Sequence, residues 1–213
     1  MSARSGVAPQ TFQDRPMPPR AESLIKPTLL ARGAILLALA VTIHSAESRK
    51  DSTMNPKIAD ESGFTVIGIE AHTSNAKEMT AKGVIGKQWA RFMKENLAAQ
   101  IPNKSDSAIL AVYTDYASDK DGEYTFILGA RVTSATDVPN GMIARKVQPG
   151  HYAIFTSEKG PVAKVVSETW QRIWSIPKSS PGGDRAYKTD YEVYDERAAN
   201  PENVQVEVHI GVK

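Results

Sequence analysis

From residue 64 onward the apolar positions change period in a fixed order. Residues 64–72 are β-rich and bounded by Gly63 and by Thr73-Ser74-Asn75, which predicts a strand. Ile85, Trp89, Phe92, Met93 and Leu97 then fall at i, i+4, i+7, i+8 and i+12, one apolar face of a helix closed by Pro102-Asn103. Strands follow over 108–113 and 124–132, with Asp119-Lys120-Asp121-Gly122 as the hairpin turn. The cycle then restarts. Residues 142–147 and 151–156 flank the turn pair Pro149-Gly150, and Gly160-Pro161 opens a second helix, with proline at a tolerated first-turn position. Val162, Val165, Val166, Thr169, Trp170, Ile173 and Trp174 keep helical spacing before the Pro/Ser/Gly loop 177–183, and strands 191–195 and 204–212 complete the chain.

The order is strand, helix, strand, strand, twice. Repeat one covers about 58–135 and repeat two about 139–213. Neither half alone offers much core. Side by side they make one antiparallel sheet with two helices on one face, an α+β fold. Two helices on one face leave a groove floored by the central strands. The repeat is visible in the letters too: Val112-Tyr113 matches Val193-Tyr194, and Gly129 matches Gly211. Before Val-Tyr, copy one has Ala111 and copy two has Glu192. A duplicated hairpin is a scaffold, so the position where the copies differ in charge is the candidate for function.

Residues 1–53 differ from the rest. Residues 1–27 are rich in Pro, Ser and Arg and read as disordered. Residues 33–43 form one apolar run, shorter than the roughly 20 residues of a spanning helix and suited in length to a signal-peptide core. Three readings stay open: a true start at Met54, giving a cytoplasmic protein; export; or a membrane anchor through the 33–43 run. The tail holds 7 of the 26 Lys/Arg and 4 of the 24 Asp/Glu, so the segment from Met54 onward is close to neutral. That gives no support to direct nucleic-acid binding. The absence of cysteine excludes disulfides, thiol nucleophiles and Cys-ligated metal. His72, His151 and His209 are scattered over three strands without an H-E-x-x-H pattern, and Pro181-Gly182-Gly183 lacks the Lys-Ser/Thr of a phosphate loop, so neither a metal nor another cofactor is expected. The Asp195-Glu196-Arg197 cluster reads as a solvated strand end.

Several segments carry a family resemblance. They are Gly63-Phe64-Thr65-Val66-Ile67-Gly68, Pro149-Gly150-His151-Tyr152-Ala153-Ile154-Phe155 with Gly160-Pro161, and Tyr191-Glu192-Val193-Tyr194-Asp195-Glu196-Arg197. In this order and spacing the chain from about Met54 to Lys213 resembles the GyrI-like small-molecule-binding domain, also called the AraC effector-binding domain. The resemblance implies a duplicated strand–helix–strand–strand fold with a ligand cleft at the pseudo-twofold interface. It also implies a cleft glutamate that, with surrounding aromatics, takes up cationic aromatic or lipophilic compounds, here Glu192. Many members carry an amino-terminal helix-turn-helix domain, and residues 1–53 show no such pair of helices.

Four ligand-binding candidates follow. Glu192 shares a strand face with Tyr194. A carboxylate among aromatics attracts an organic cation by charge, with cation–π help of roughly 0.5–2 kcal/mol per ring. Tyr113 and Tyr194 are repeat partners placed to line the floor from both sides. Trp170 and Trp174 form a helical aromatic stripe, a pattern more often core than ligand box, with one edge of Trp170 able to reach the cleft. The expected function is a stand-alone effector-binding protein that senses or sequesters cationic or lipophilic compounds, a binding protein rather than an enzyme. The family offers two alternatives: hydrolysis of cyclopropane-type toxins with Glu192 as general base, or a gyrase-inhibitor-like modulator with a protein partner.

Overall fold

The computed structural model describes residues 55–213. The tail and its 33–43 run lie outside the described residues. Among those described, no helix is long and apolar enough to cross a membrane. Eight strands form one antiparallel sheet: β1 (Lys57–Glu61), β2 (Phe64–Ser74), β3 (Ile109–Thr114), β4 (Glu123–Val132), β5 (Ile143–Val147), β6 (Gly150–Thr156), β7 (Arg185–Tyr194) and β8 (Glu207–Val212). The helices are α1 (Asn75–Glu78), α2 (Ile85–Lys94), α3 (Leu97–Gln100) and α4 (Val162–Ser175). The sequence pattern anticipated this architecture, and the structure adds a leading strand, β1, that completes repeat one as β5 completes repeat two.

The strand order is β1-β6-β8-β7-β3-β4-β2-β5. Exchange each strand of repeat one (β1 to β4) for its counterpart in repeat two (β5 to β8), and the same order results, read backwards. That palindrome is the topological signature of a pseudo-twofold axis. The leading strands are exchanged between repeats: β1 pairs with β6 and β5 with β2. The joint between repeats is the antiparallel pair β3–β7.

Alternation along the strands sends two sets of side chains to opposite faces. On one face Ile67, Ile69, Phe126 and Leu128 pack with Phe92 of α2, and Ala153, Phe155, Val208 and Ile210 pack with Trp170 and Ile173 of α4. Tyr113 packs against both clusters, so the two helices share this face. The other face is also a core: Val66, Leu110, Val112, Ile127, Tyr152 and Tyr191 are buried together there. Curling of the sheet explains how. Phe64 on β2 and Tyr191 on β7 are three strand steps apart, about 14 Å in a flat sheet, yet their ring centroids lie 5.2 Å apart. From the other edge, Glu61 on β1 accepts a hydrogen bond from Tyr191 and contacts His209 Nδ1 at 2.8 Å.

Helix α2 ends earlier than its apolar spacing predicts. Asn96 adopts φ +49°, and Leu97 restarts a separate single turn with its side chain buried. Met93, at a position of the apolar helix pattern, is 63% exposed. At the other end, the Glu78 carboxylate accepts from the amides of Val84 and Ile85 at 2.9 and 3.1 Å, an acidic cap at the positive end of α2.

The glycines shared by the repeats mark close backbone approach. A Cβ on Gly129 would lie 2.0 Å from the Ile67 carbonyl oxygen, and one on Gly211 would lie 2.7 Å from that of Thr189. Gly129→Ala is therefore expected to force β2 and β4 apart and to cost about 1–3 kcal/mol, the range of an overpacked core. Chemical denaturation of the variant checks this; an unchanged midpoint would show that the strands separate freely there.

Candidate functional site

The pseudo-twofold axis can be located to one residue pair. Tyr113 matches Tyr194, a repeat shift of 81 positions (194 − 113), and the same shift takes Ala111 to Glu192. The β3–β7 register sets Ala111 directly opposite Glu192. These two residues are therefore both repeat counterparts and cross-strand neighbours, and the axis passes between them. A strictly symmetric protein would place two carboxylates face to face here, a destabilising like-charge pair. Ala111 removes one of them.

Glu192 is 1% exposed. Its Oε1 accepts from Tyr113 Oη at 2.9 Å and from Trp170 Nε1 at 2.5 Å, and its Oε2 accepts from Tyr194 Oη at 2.6 Å. Among the described residues it has no ion-pair partner. Burial pushes its pKa up, against the pull of the three hydrogen bonds. Burial and the nearby carboxylate push Tyr113 and Tyr194 well above the usual phenol value, so both remain protonated donors. The four predicted site residues thus form one hydrogen-bonded unit, and Trp170 serves both core and site.

Above this unit lies a cleft of about 1120 Å³ between α2 and α4. Ile85, Trp89 and Met93 line it from α2, Val166 and Trp174 line it from α4, and Tyr113 and Tyr194 contribute to its floor. Trp89 stands edge-on to Tyr194 at 4.8 Å, and Trp170 edge-on to Tyr113 at 5.2 Å. The Glu192 carboxylate lies behind these rings rather than among the lining groups.

Sequence reasoning missed a second polar group on the same face. Asp190, two residues before Glu192, is fully buried. It accepts from Arg185, from Tyr116 Oη at 2.7 Å and from the Gly211 amide at 2.9 Å. The signal was the spacing Asp190, Glu192, Tyr194, three polar-tipped residues on one strand face; beginning the strand at 191 left Asp190 outside it. Asp195 is more than a solvated end: it caps the 3-10 turn Glu196–Ala198 and pairs with Arg197, which also pairs with Glu207.

Residues 57–212 match the model of the integron-associated effector-binding proteins, Cass2. The chain belongs to this family. It is 33% identical over 147 residues to YobU of Bacillus subtilis (strain 168), which bears the name of a transcriptional regulator protein; the match covers 68% of this chain and 90% of YobU. The integron cassette protein VCH_CASS2 from the mobile metagenome of Vibrio cholerae is 30% identical with a TM-score of 0.59, over 75% of this chain and 96% of that one. SAV2435, solved with tetraphenylphosphonium bound, shares the fold at 16% identity and a TM-score of 0.58, over 75% of this chain and 94% of its own. The GyrI-like, effector-binding assignment read from the sequence therefore stands.

If the lone carboxylate at the axis is a constraint, a second one should be resisted. Ala111→Glu is expected to destabilise the domain by roughly 3 kcal/mol or more at neutral pH, the scale for an uncompensated buried charge. Ala111→Gln serves as the volume-matched control. The gap between the two variants should shrink as pH falls and the carboxylates take up protons. Equal stability of the two at neutral pH would remove charge as the reason for alanine.

Proposed function

We propose that this domain is a receptor for small lipophilic organic cations, aromatic ones above all, which it takes up between α2 and α4 for sensing or sequestration. The observation that carries this reading is the fully buried Glu192 carboxylate, without a basic partner among the described residues, beneath an aromatic floor. A cation over Tyr113, Tyr194 and Trp170 meets the negative faces of the rings and the negative charge behind them. Hydrogen bonding of the two phenols to a carboxylate makes their rings more electron-rich, which strengthens each cation–π contact. The tetraphenylphosphonium held by SAV2435 is a ligand of this chemistry on the same fold.

The cleft walls select by shape and apolarity, since most of their side chains are hydrocarbon or aromatic. General-base hydrolysis would require a Glu192 oxygen open to a water in the cleft, and the side chain is buried behind the rings that line it, with three side-chain donors already on its oxygens. Binding is therefore the reading that the geometry favours.

Glu192→Gln should weaken tetraphenylphosphonium by the value of a charge-assisted, desolvated contact, about 1.5–3 kcal/mol, or roughly ten- to a hundredfold. A neutral triarylmethane of similar bulk should be little affected. Titration calorimetry with both compounds tests this, and equal losses for the two would sink the charge argument.

The raised pKa of Glu192 gives a second test. Between the ordinary carboxylate value and the raised folded value, the free domain holds a proton that the unfolded chain has lost. The free fold therefore loses stability as pH rises through that window. A bound cation favours the ionised form, so its uptake should release protons there, and its affinity should rise with pH. Calorimetry in buffers of different ionisation enthalpy reads the proton count. No release anywhere in the window would mean that the cation does not feel Glu192.

A further inference from the structure

We propose that the cleft has an alkyl subsite at one end, where the first half of α4 meets the 198–201 segment. This rests on the cation reading above and narrows it: the preferred ligand is a cation that carries aryl groups on one side and a hydrocarbon chain on the other.

The two ends of the cleft differ in chemistry. At one end the rings form a connected group. Tyr113 lies 5.7 Å from Tyr124 and 5.2 Å from Trp170, Tyr116 lies 5.6 Å from Tyr124, and Trp174 lies 6.0 Å from Trp170, centroid to centroid. All five line the cleft. At the other end the lining is Val162, Ala163, Val166, Ala198, Ala199 and Pro201. Val162, Val166 and Ala198 pack with Tyr194 around the buried Val165, Val204 and Val206, so this wall adjoins the Tyr194 side of the floor. Ala163, Ala199 and Pro201 are exposed, which leaves its hydrocarbon open to the cleft.

The wall offers a ligand hydrocarbon and little else. Its backbone amides are engaged within the protein: Val162 donates to the Pro201 carbonyl at 2.9 Å, Ala198 to that of Asp195 at 2.9 Å and Ala199 to that of Glu196 at 3.2 Å. Gly160 and Val204 exchange backbone hydrogen bonds at 3.1 and 2.8 Å, which fixes the start of α4 against the segment. Asp195 also lines the cleft, but its carboxylate is held by Arg197.

This contrast arises where the repeats diverge. Ile85, Trp89 and Tyr113 have close counterparts in Val166, Trp170 and Tyr194, each 81 positions on (166 − 85, 170 − 89 and 194 − 113). The same shift takes Tyr116 to Arg197, whose guanidinium is turned to Asp195 and Glu207. The shift of 82 that takes Gly129 to Gly211 takes Tyr124 to Val206. Two tyrosines of the aromatic end therefore have no ring as counterpart at the other.

At about 1120 Å³ the cleft exceeds the roughly 300–1,000 Å³ of a typical small-molecule site, so a ligand that fills it spans both ends. Aryl groups gain most among the connected rings. A chain on the far side of the cation is left the valine, alanine and proline wall, where each buried methylene gains by leaving water.

Methyl-, n-butyl- and (4-hydroxybutyl)triphenylphosphonium test this on the full chain by titration calorimetry. The butyl compound should bind roughly ten- to fiftyfold more tightly than the methyl one, the gain for burying most or all of three methylenes. The terminal hydroxyl meets no partner on this wall and should cancel most of that gain. Ala163→Gln and Ala199→Gln each put an amide on the wall at an exposed position, and in both the butyl-to-methyl ratio should fall severalfold, toward one. Trp174→Ala, at the aromatic end, should weaken the methyl and butyl compounds alike and keep the ratio. Equal wild-type affinity for the methyl and butyl compounds would overturn the subsite and leave the cation reading standing. A hydroxybutyl compound as tight as the butyl one would also overturn it, as would a ratio that falls in Trp174→Ala but survives both glutamine variants. If none of the three compounds is bound, the cation reading itself fails and this inference falls with it.

Discussion

The Glu192 carboxylate is buried on the axis where the two repeats meet, and the architecture around it follows from the need to satisfy it. Removing a carboxylate from water has an effective cost of several kcal/mol even after the protein relaxes. Glu192 offsets that cost with three donors drawn from three elements: Tyr113 on β3, Trp170 on α4 and Tyr194 on β7 itself. Tyr113 belongs to repeat one and the other two to repeat two, so the carboxylate ties the repeats across their joint. A displacement of α4 along the sheet would strip Trp170 from Oε1. The cleft and the charge behind it are thus mechanically coupled.

The surrounding frame is stiff enough to hold that geometry. The sheet curls until β1 and β2 come within reach of β7, which buries its helix-free face around Tyr191. Tyr191 and Glu192 are consecutive residues on opposite faces, so one segment of β7 is clamped from below by Glu61 and from above by the three donors. Exchange of β1 and β5 between the repeats adds backbone hydrogen bonds that neither repeat would supply alone. The cleft between α2 and α4 therefore has a floor fixed on both sides, while Met93, a flexible thioether, and Trp174 are more exposed at its walls.

Much of this was legible in the sequence because the relevant signals are local. The period changes placed both helices and most strands, and the repeated Val-Tyr and Gly anchors exposed the duplication. The contrast of Ala111 with Glu192 singled out the residue now found at the axis. What stayed hidden depends on contacts far apart in the chain. Strand β1, Lys-Ile-Ala-Asp-Glu, has too little apolar character to announce itself and exists through its pairing with β6. The Arg185–Asp190 pair arises from a register shift in β7 that no residue pattern specifies. Leu97 keeps helical spacing with Phe92 and Met93, yet Asn96 breaks the helix before it, so periodicity ran past the true end. Trp89 was legible as a helix residue but not as a wall of the cleft, because its partner Tyr194 lies in the other repeat.

The two repeats use symmetry for shape and its absence for chemistry. Under the shift that relates Tyr113 to Tyr194, Ile109 corresponds to Asp190 and Ala111 to Glu192. On the helix-bearing face β3 therefore presents Ile109, Ala111 and Tyr113, while β7 presents Asp190, Glu192 and Tyr194. All the buried acid of this joint is on one strand. The floor of the cleft is therefore lopsided in charge. Repeat symmetry would have equalised the two sides of the joint, whereas Asp190 and Glu192, both buried on β7 and matched under the repeat relation by the apolar Ile109 and Ala111 of β3, make its two sides electrostatically distinct.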